Sequence, residues 1–326
     1  MKKNYHKSFL LILFVLGAAV WTVDAQKIRP VKYPYPVRYF NLTIENKPVK
    51  MAYMDAQPTD GATGRTVILF HGKNFNGYYW KDTAARLTKE GFRVVVPDQI
   101  GWGKSDKPNI HYSFHLLAQN NKKLLDALRV KSAVVVGHSI GGMLAARFAL
   151  MYPRTTEKLI LENPIGLEDY RTFVPYASFE DLLKGERAQT YASLKKYQQT
   201  YYTDWKPEYE QYVQAQAESL IRPDFPQAAV ANALTSLMAY EQPVVYEFKN
   251  IKAPTLLIIG QTDRTVLGKN RLRAESRDKY GQYPELGKRV NREISGSKLV
   301  EYENVGHIPH VQVFDSFTDE LLKFIK

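Results

Sequence analysis

Short apolar runs recur along the chain, each followed by a stretch in which apolar residues return at helical spacing. Residues 66–70, 93–96, 133–136, 158–162, 255–259 and 298–302 are runs of strand length, rich in Val, Ile and Leu. Between them, 79–90 (closed by Gly91), 115–128 and 142–151 (stopped by Pro153) read as helices. The last helical stretch, 311–325, sets Phe314, Phe317, Leu321, Leu322 and Ile325 on one face. Apolar strands alternating with helices predict an α/β fold, a mostly parallel central sheet with helices on both faces. Ahead of this alternation, 26–36 is an extended lead-in rich in Pro and Tyr, and 37–54 reads as a hairpin turning at Asn46-Lys47.

The alternation stops after the strand ending near Glu162. From about 166 to 246 strand signals largely vanish and helical pieces take over at 179–183, 188–199 and 208–220. The sequence therefore predicts a core domain made of 26–165 and 247–326, with 166–246 inserted as a helical cap. Such an insertion falls over the C-terminal strand ends, where open α/β sheets bind ligands. The cap is rich in tyrosine, at 170, 176, 191, 197, 201, 202, 209, 212, 240 and 246. A tyrosine can line an aromatic or apolar pocket, but most of these are expected to pack cap helices against the core.

Residues 1–25 form a different pattern. Lys2, Lys3 and Lys7 precede an unbroken apolar run at 9–20, and Val23-Asp24-Ala25 offers small residues for a cut before Gln26. That order is a secretory signal, and the run is short for a spanning helix. The expectation is an exported, periplasmic or secreted protein with no stable membrane anchor after cleavage near Ala25. The alternative is an anchor that stays uncleaved. The 326-residue chain has no cysteine, so disulfides and a lipidated cysteine are excluded and stability rests on the core. Of the formal net charge of +12, residues 1–25 hold +2, leaving about +10 scattered without a basic run or nucleic-acid motif. No nucleic-acid partner is expected, and the positive surface serves solubility.

The chemistry gathers at Gly137-His138-Ser139-Ile140-Gly141, between the 133–136 strand and the 142–151 helix. Strand, G-x-S-x-G and helix is the setting of a nucleophilic serine on a sharp turn whose flanks must be nearly free of side chains. The competing reading is a plain Gly-Ser connector. A serine hydroxyl needs a base, and the base needs an orienting acid. His307, on the loop after the 298–302 strand, is the candidate base, with His310 three residues on as a helix-start polar group. Asp263, after the 255–259 strand, is the candidate acid, with Glu162 at the preceding strand end as runner-up. Asp98 precedes the serine and is expected to organise the loop 98–106. Backbone N–H groups of Lys73, after His71-Gly72, and Ile140 are the candidate oxyanion donors. The Lys73 side chain is expected to be solvated. His6, His71, His111, His115 and His138 show no metal-ligand spacing, so no metal and no cofactor are expected; His138 reads as a packed neighbour of the turn.

His71-Gly72, the loop from Asp98 to Asp106, Gly137 to Gly142, Asp263 in Gly-Gln-Thr-Asp-Arg, and Gly306-His307 together resemble the α/β-hydrolase superfamily in its capped branch. That branch holds esterases, C–C bond hydrolases, epoxide hydrolases and haloalkane dehalogenases. The resemblance spans nearly all of the chain after residue 25. It implies a Ser139–His307–Asp263 triad and a small-molecule substrate, with an apolar acyl or aromatic part. Dehalogenases and epoxide hydrolases of this family carry an aspartate nucleophile, so Ser139 argues against both. Lys73-Asn74-Phe75 departs from the Gly/Ser-rich oxyanion loop of C–C hydrolases. The expected activity is therefore carboxylic-ester hydrolysis through an acyl-enzyme. Amide or C–C bond hydrolysis with the same triad is the alternative, and a non-catalytic ligand-binding protein on this fold is a further one.

Overall fold

A computed structural model describes residues 28–326. The predicted signal segment and the expected cut near Ala25 lie outside the described residues. The strands are β1 (Val37–Ile44), β2 (Lys47–Ala56), β3 (Thr66–Phe70), β4 (Arg93–Pro97), β5 (Ala133–His138), β6 (Thr156–Glu162), β7 (Thr255–Gly260) and β8 (Lys298–Tyr302). They form one sheet in the order β1-β2-β4-β3-β5-β6-β7-β8. The β1–β2 and β2–β4 pairs are antiparallel; every later pair is parallel.

The period of two along each strand divides the core into two layers. Ile68, Phe70, Val95, Val135, Leu159, Leu161, Leu257 and Ile259 pack on one face of the sheet. Val67, Leu69, Val94, Val96, Val134, Val136, Ile160, Leu256 and Ile258 pack on the other. Strands β3, β5 and β7 are buried at every position, which is why they read as unbroken apolar runs rather than alternating ones.

The helices are α1 (Lys81–Lys89), α2 (Phe114–Ala127), α3 (Ile140–Met151), α4 (Phe179–Arg187), α5 (Tyr191–Gln199), α6 (Glu210–Ala217), α7 (Phe225–Glu241), α8 (Tyr283–Glu293), α9 (Pro309–Gln312) and α10 (Phe314–Ile325). Helices α4 to α7 all fall between β6 and β7. Side chains mark several helix starts: Ser113 caps α2, Ser178 caps α4, and Thr190 closes a capping box on α5.

Three local expectations shift. The hairpin turns at Glu45-Asn46, both at positive φ (47° and 60°), one residue earlier than read from the sequence. Two left-handed residues give the turn whose twist matches the flanking strands. The final helix is split at Val313 into α9 and α10. The first helix starts as a 3-10 turn at Gly77–Trp80 before becoming α-helical.

Candidate active site

The turn at Ser139 is built by close approach. Ser139 ends β5 and starts α3 with φ 56° and ψ −121°, a left-handed conformation that is costly for a residue with a side chain. A Cβ on Gly137 would lie 2.1 Å from the Gly141 carbonyl oxygen, and one on Gly141 would lie 2.3 Å from that of Phe70. Both glycines are thus required by contact with backbone, and the strained serine is held from both sides. Its carbonyl accepts the N–H of Gly142 and of Ile165, and its N–H donates to the Glu162 carbonyl. Ile140 opens α3, so its N–H has no partner one turn back within that helix.

His307 and Asp263 meet. Nδ1 of His307 is 2.7 Å from Oδ2 of Asp263, with both side chains 1% exposed. The carboxylate is held further by the N–H of Thr265 to Oδ1 (2.8 Å) and by Nδ2 of Asn163 to Oδ2 (2.8 Å). Burial pushes the Asp263 carboxyl up, but the charge of His307 and these three donors outweigh it and hold it below the ordinary range. With Nδ1 engaged as donor, Nε2 is free to accept; it is buried and has no partner among the described residues.

Glu162 and His310 form a second pair. Both carboxylate oxygens lie 2.9 Å from Nδ1 of His310, and one also accepts the His310 backbone N–H at 2.7 Å. The His310 ring stacks on Trp80, with centroids 4.1 Å apart. Burial raises Glu162 to about 7 and lowers His310 to about 3, so this dry pair is drawn toward neutrality. The two candidate acids therefore serve different histidines, and Glu162 does not touch His307.

Gly72 brings the loop that carries the candidate oxyanion donor Lys73 to the serine: a Cβ there would lie 3.3 Å from Cβ of Ser139. The Lys73 carbonyl accepts Nε1–H of Trp102 at 2.7 Å. The Lys73 side chain, expected from sequence to be solvated, instead reaches the predicted cap. Its Nζ donates to the Asn232 carbonyl at 3.0 Å and lies 3.6 Å from Glu186, with 15% of the side chain exposed. An acceptor on α7 and a carboxylate on α4 replace the water it would otherwise bind. Asp98 is a loop hub: its carboxylate accepts from Tyr33, from Gly77 N–H and from Lys104 N–H.

Two contributors escaped sequence reading. Asn163, at φ 33°, links Asp263 to the end of β7 by accepting Gly260 N–H at 2.9 Å. Only its place after a strand hinted at a role. Tyr201 of the cap accepts the His307 backbone N–H at 2.7 Å, stacks its ring on the imidazole with centroids 4.8 Å apart, and accepts from Asn74 Nδ2 at 2.8 Å. Most other cap tyrosines pack or bond locally, as Tyr202 stacked on Tyr209 does. A small cleft lies at the seam beside Lys73, Phe75, Trp102, Leu194 and Phe225; neither Ser139 nor His307 lines it. Among the described residues no cluster of His, Asp or Glu could hold a metal, and no helix is long and apolar enough to cross a membrane.

Known proteins resemble this chain to different extents. A crystal structure of a probable hydrolytic enzyme from Pseudomonas aeruginosa superposes with a TM-score of 0.88 at 42% identity, covering 90% of this chain and 96% of that one. A 2-hydroxy-6-oxononadienedioate/2-hydroxy-6-oxononatrienedioate hydrolase from Paraburkholderia phymatum is 30% identical over 235 residues, 70% of this chain and 80% of its own length. Uncharacterized proteins of Mycobacterium tuberculosis and Mycobacterium bovis are 36% identical, but the match spans 32% of this chain and only 30% of theirs. The family model for the alpha/beta hydrolase fold matches residues 65–312, and the chain belongs to the α/β-hydrolase family.

Proposed function

We propose that the chain is an exported serine hydrolase that cleaves small carboxylic esters through an acyl-enzyme. The observation that carries this reading is the buried Asp263–His307 pair with Nε2 unpartnered, its ring 4.7 Å from that of His138, the residue before a serine held at positive φ. Ser139 Oγ attacks the ester carbonyl carbon while His307 Nε2 takes its proton. Asp263 keeps the proton on Nδ1 and stabilises the imidazolium. The negative oxygen is met by the N–H groups of Lys73 and Ile140. Collapse returns the proton from His307 to the leaving alcohol and leaves the acyl group on Ser139. Water, deprotonated by His307, then releases the acid. The seam cleft shares Lys73 with the candidate oxyanion loop, and its Phe75, Trp102, Leu194 and Phe225 favour a substrate with an apolar or aromatic part.

Hydrolysis of a C–C bond with the same triad is the second reading, favoured by the name of the Paraburkholderia relative. Export rests on the lysine-then-apolar order of residues 1–25. The test is fluorophosphonate labelling with peptide mapping, followed by turnover on p-nitrophenyl esters, amides and vinylogous ring-cleavage acids. Label on Ser139, with a loss of about 10³-fold or more in Ser139→Ala, is expected. Unlabelled folded protein, or Ser139→Ala at the wild-type rate, overturns it. N-terminal sequencing of the exported protein tests cleavage after Ala25.

A further inference from the structure

Between the oxyanion loop and the base loop runs a buried chain of hydrogen bonds whose direction is fixed by chemistry. His138 ends β5, one residue before Ser139, and is fully buried. Its Nε2 lies 2.8 Å from the His307 carbonyl oxygen. A carbonyl only accepts, so Nε2 carries the proton and donates. On the neutral ring Nδ1 is then an acceptor. The Tyr79 hydroxyl, 3.1 Å away, donates to it. That hydroxyl in turn accepts the Gly72 N–H at 2.8 Å. Every donor and acceptor in the chain is used once, from Gly72 through Tyr79 and His138 to His307.

The rings are gripped as well as bonded. Tyr79 stacks on Phe75, with centroids 4.6 Å apart and planes 8° apart, and meets His310 edge-on at 4.7 Å. His138 lies 4.7 Å from the His307 ring and 5.6 Å from that of His310. Burial, with the neighbouring His307 next in weight, depresses His138 to about 3, so it stays neutral when His307 takes a proton. Glu162 is the acidic group acting on it from β6.

We propose that Tyr79 and His138 are positioning residues that brace the oxyanion loop against the base loop beside Ser139. The proposal rests on the Ser139–His307–Asp263 reading above. Gly72 leads directly into Lys73, whose N–H must meet the oxyanion, and the His307 carbonyl belongs to the base itself. The two loops come from β3 and from beyond β8, on opposite sides of β5 in the sheet. One relay through the residue before the nucleophile ties them to a common frame. A shift of about 1 Å in such groups costs on the order of 10²-fold in rate.

Tyr79→Phe removes the hydroxyl and keeps the stacked ring. His138→Gln keeps an N–H for the His307 carbonyl, whereas His138→Leu keeps none. Each is measured as kcat per titratable site, with sites counted by fluorophosphonate, beside wild type and Ser139→Ala. Per-site kcat is expected to fall about 10- to 100-fold in Tyr79→Phe with KM changed by less than about twofold. His138→Gln is expected to retain more per-site kcat than His138→Leu. A residue that only supports folding would lower the number of titratable sites and leave per-site kcat unchanged. A fall below fivefold in Tyr79→Phe, or one matched by a rise in KM, overturns the brace. If Tyr79→Phe does not fold, equal per-site rates in the two His138 variants overturn it. Turnover surviving in Ser139→Ala instead defeats the triad reading, whatever Tyr79→Phe does.

Discussion

Replacing Asn163 by aspartate changes one hydrogen bond into a repulsion and almost nothing else. The Asn163 Oδ1 that accepts Gly260 N–H is an acceptor in either residue. The other terminal atom changes from an N–H donor, 2.8 Å from Oδ2 of Asp263, to a carboxylate oxygen. Two charges at that separation repel by about 6 kcal/mol at an effective dielectric of 20. The fold escapes more cheaply by keeping a proton on one carboxyl, which then donates in place of the amide. Holding that proton costs about 1.4 kcal/mol for each pH unit above an ordinary carboxyl value near 4. The penalty is therefore about 1.5 kcal/mol at pH 5 and about 5.5 kcal/mol at pH 8, a large share of a typical folding free energy. The folded pair binds a proton that the unfolded chain releases, so stability falls as pH rises. Urea unfolding of Asn163→Asp and wild type at pH 5, 6.5 and 8 measures it. Curves that stay parallel across this range would refute the placement of Asn163 against Asp263.

Three further outcomes follow from the geometry. Gly137→Ala drives a methyl to 2.1 Å from the Gly141 carbonyl and 2.7 Å from Cβ of Ala145, neither of which is a flexible side-chain end; a loss of about 3 kcal/mol or more in chemical denaturation is expected. His138 is depressed to about 3 from 6.5, so its contribution is present above 6.5 and lost as pH falls toward 3. Between pH 7 and 5 wild type should lose about 2 kcal/mol relative to His138→Gln, read by paired urea melts at both pH values. Lys73→Met removes the bonds to Asn232 and Glu186, and hydrogen exchange should quicken in α4 and α7 while Ser139 still labels; unchanged exchange there would count against a clasp.

The core was legible because its strands are buried on both faces and therefore continuous in sequence, as at β3, β5 and β7. Ser139 and Asp263 could be placed because each follows such a strand, β5 or β7, whereas His307 follows the half-exposed β8 and was placed by its loop. Helix α7 was not, since Phe225–Glu241 is apolar nearly all round; its buried Ala228, Ala229, Ala231, Ala233 and Ala239 leave no polar stripe to set a period. Asn163 and Tyr201 were invisible for another reason. Their roles depend on contacts across about a hundred residues, Asn163 to Asp263 and Tyr201 to His307, and no local pattern encodes those. The Lys73 side chain misled because a lone cation in a loop looks solvated until a neighbouring layer is known.

Several ties hold the predicted cap to the rest of the fold, and three of them bear on the site. Arg29 and Val31 of the lead-in donate to Gln214 and Glu218, Lys73 reaches Asn232, and Tyr201 holds the His307 N–H. A layer tied down at so many separate points does not swing away as one slab without breaking them. Any motion that lifts Tyr201 also lets go of the His307 loop, so the seam and the candidate base are geared together. An open seam would leave the candidate base without its backbone anchor.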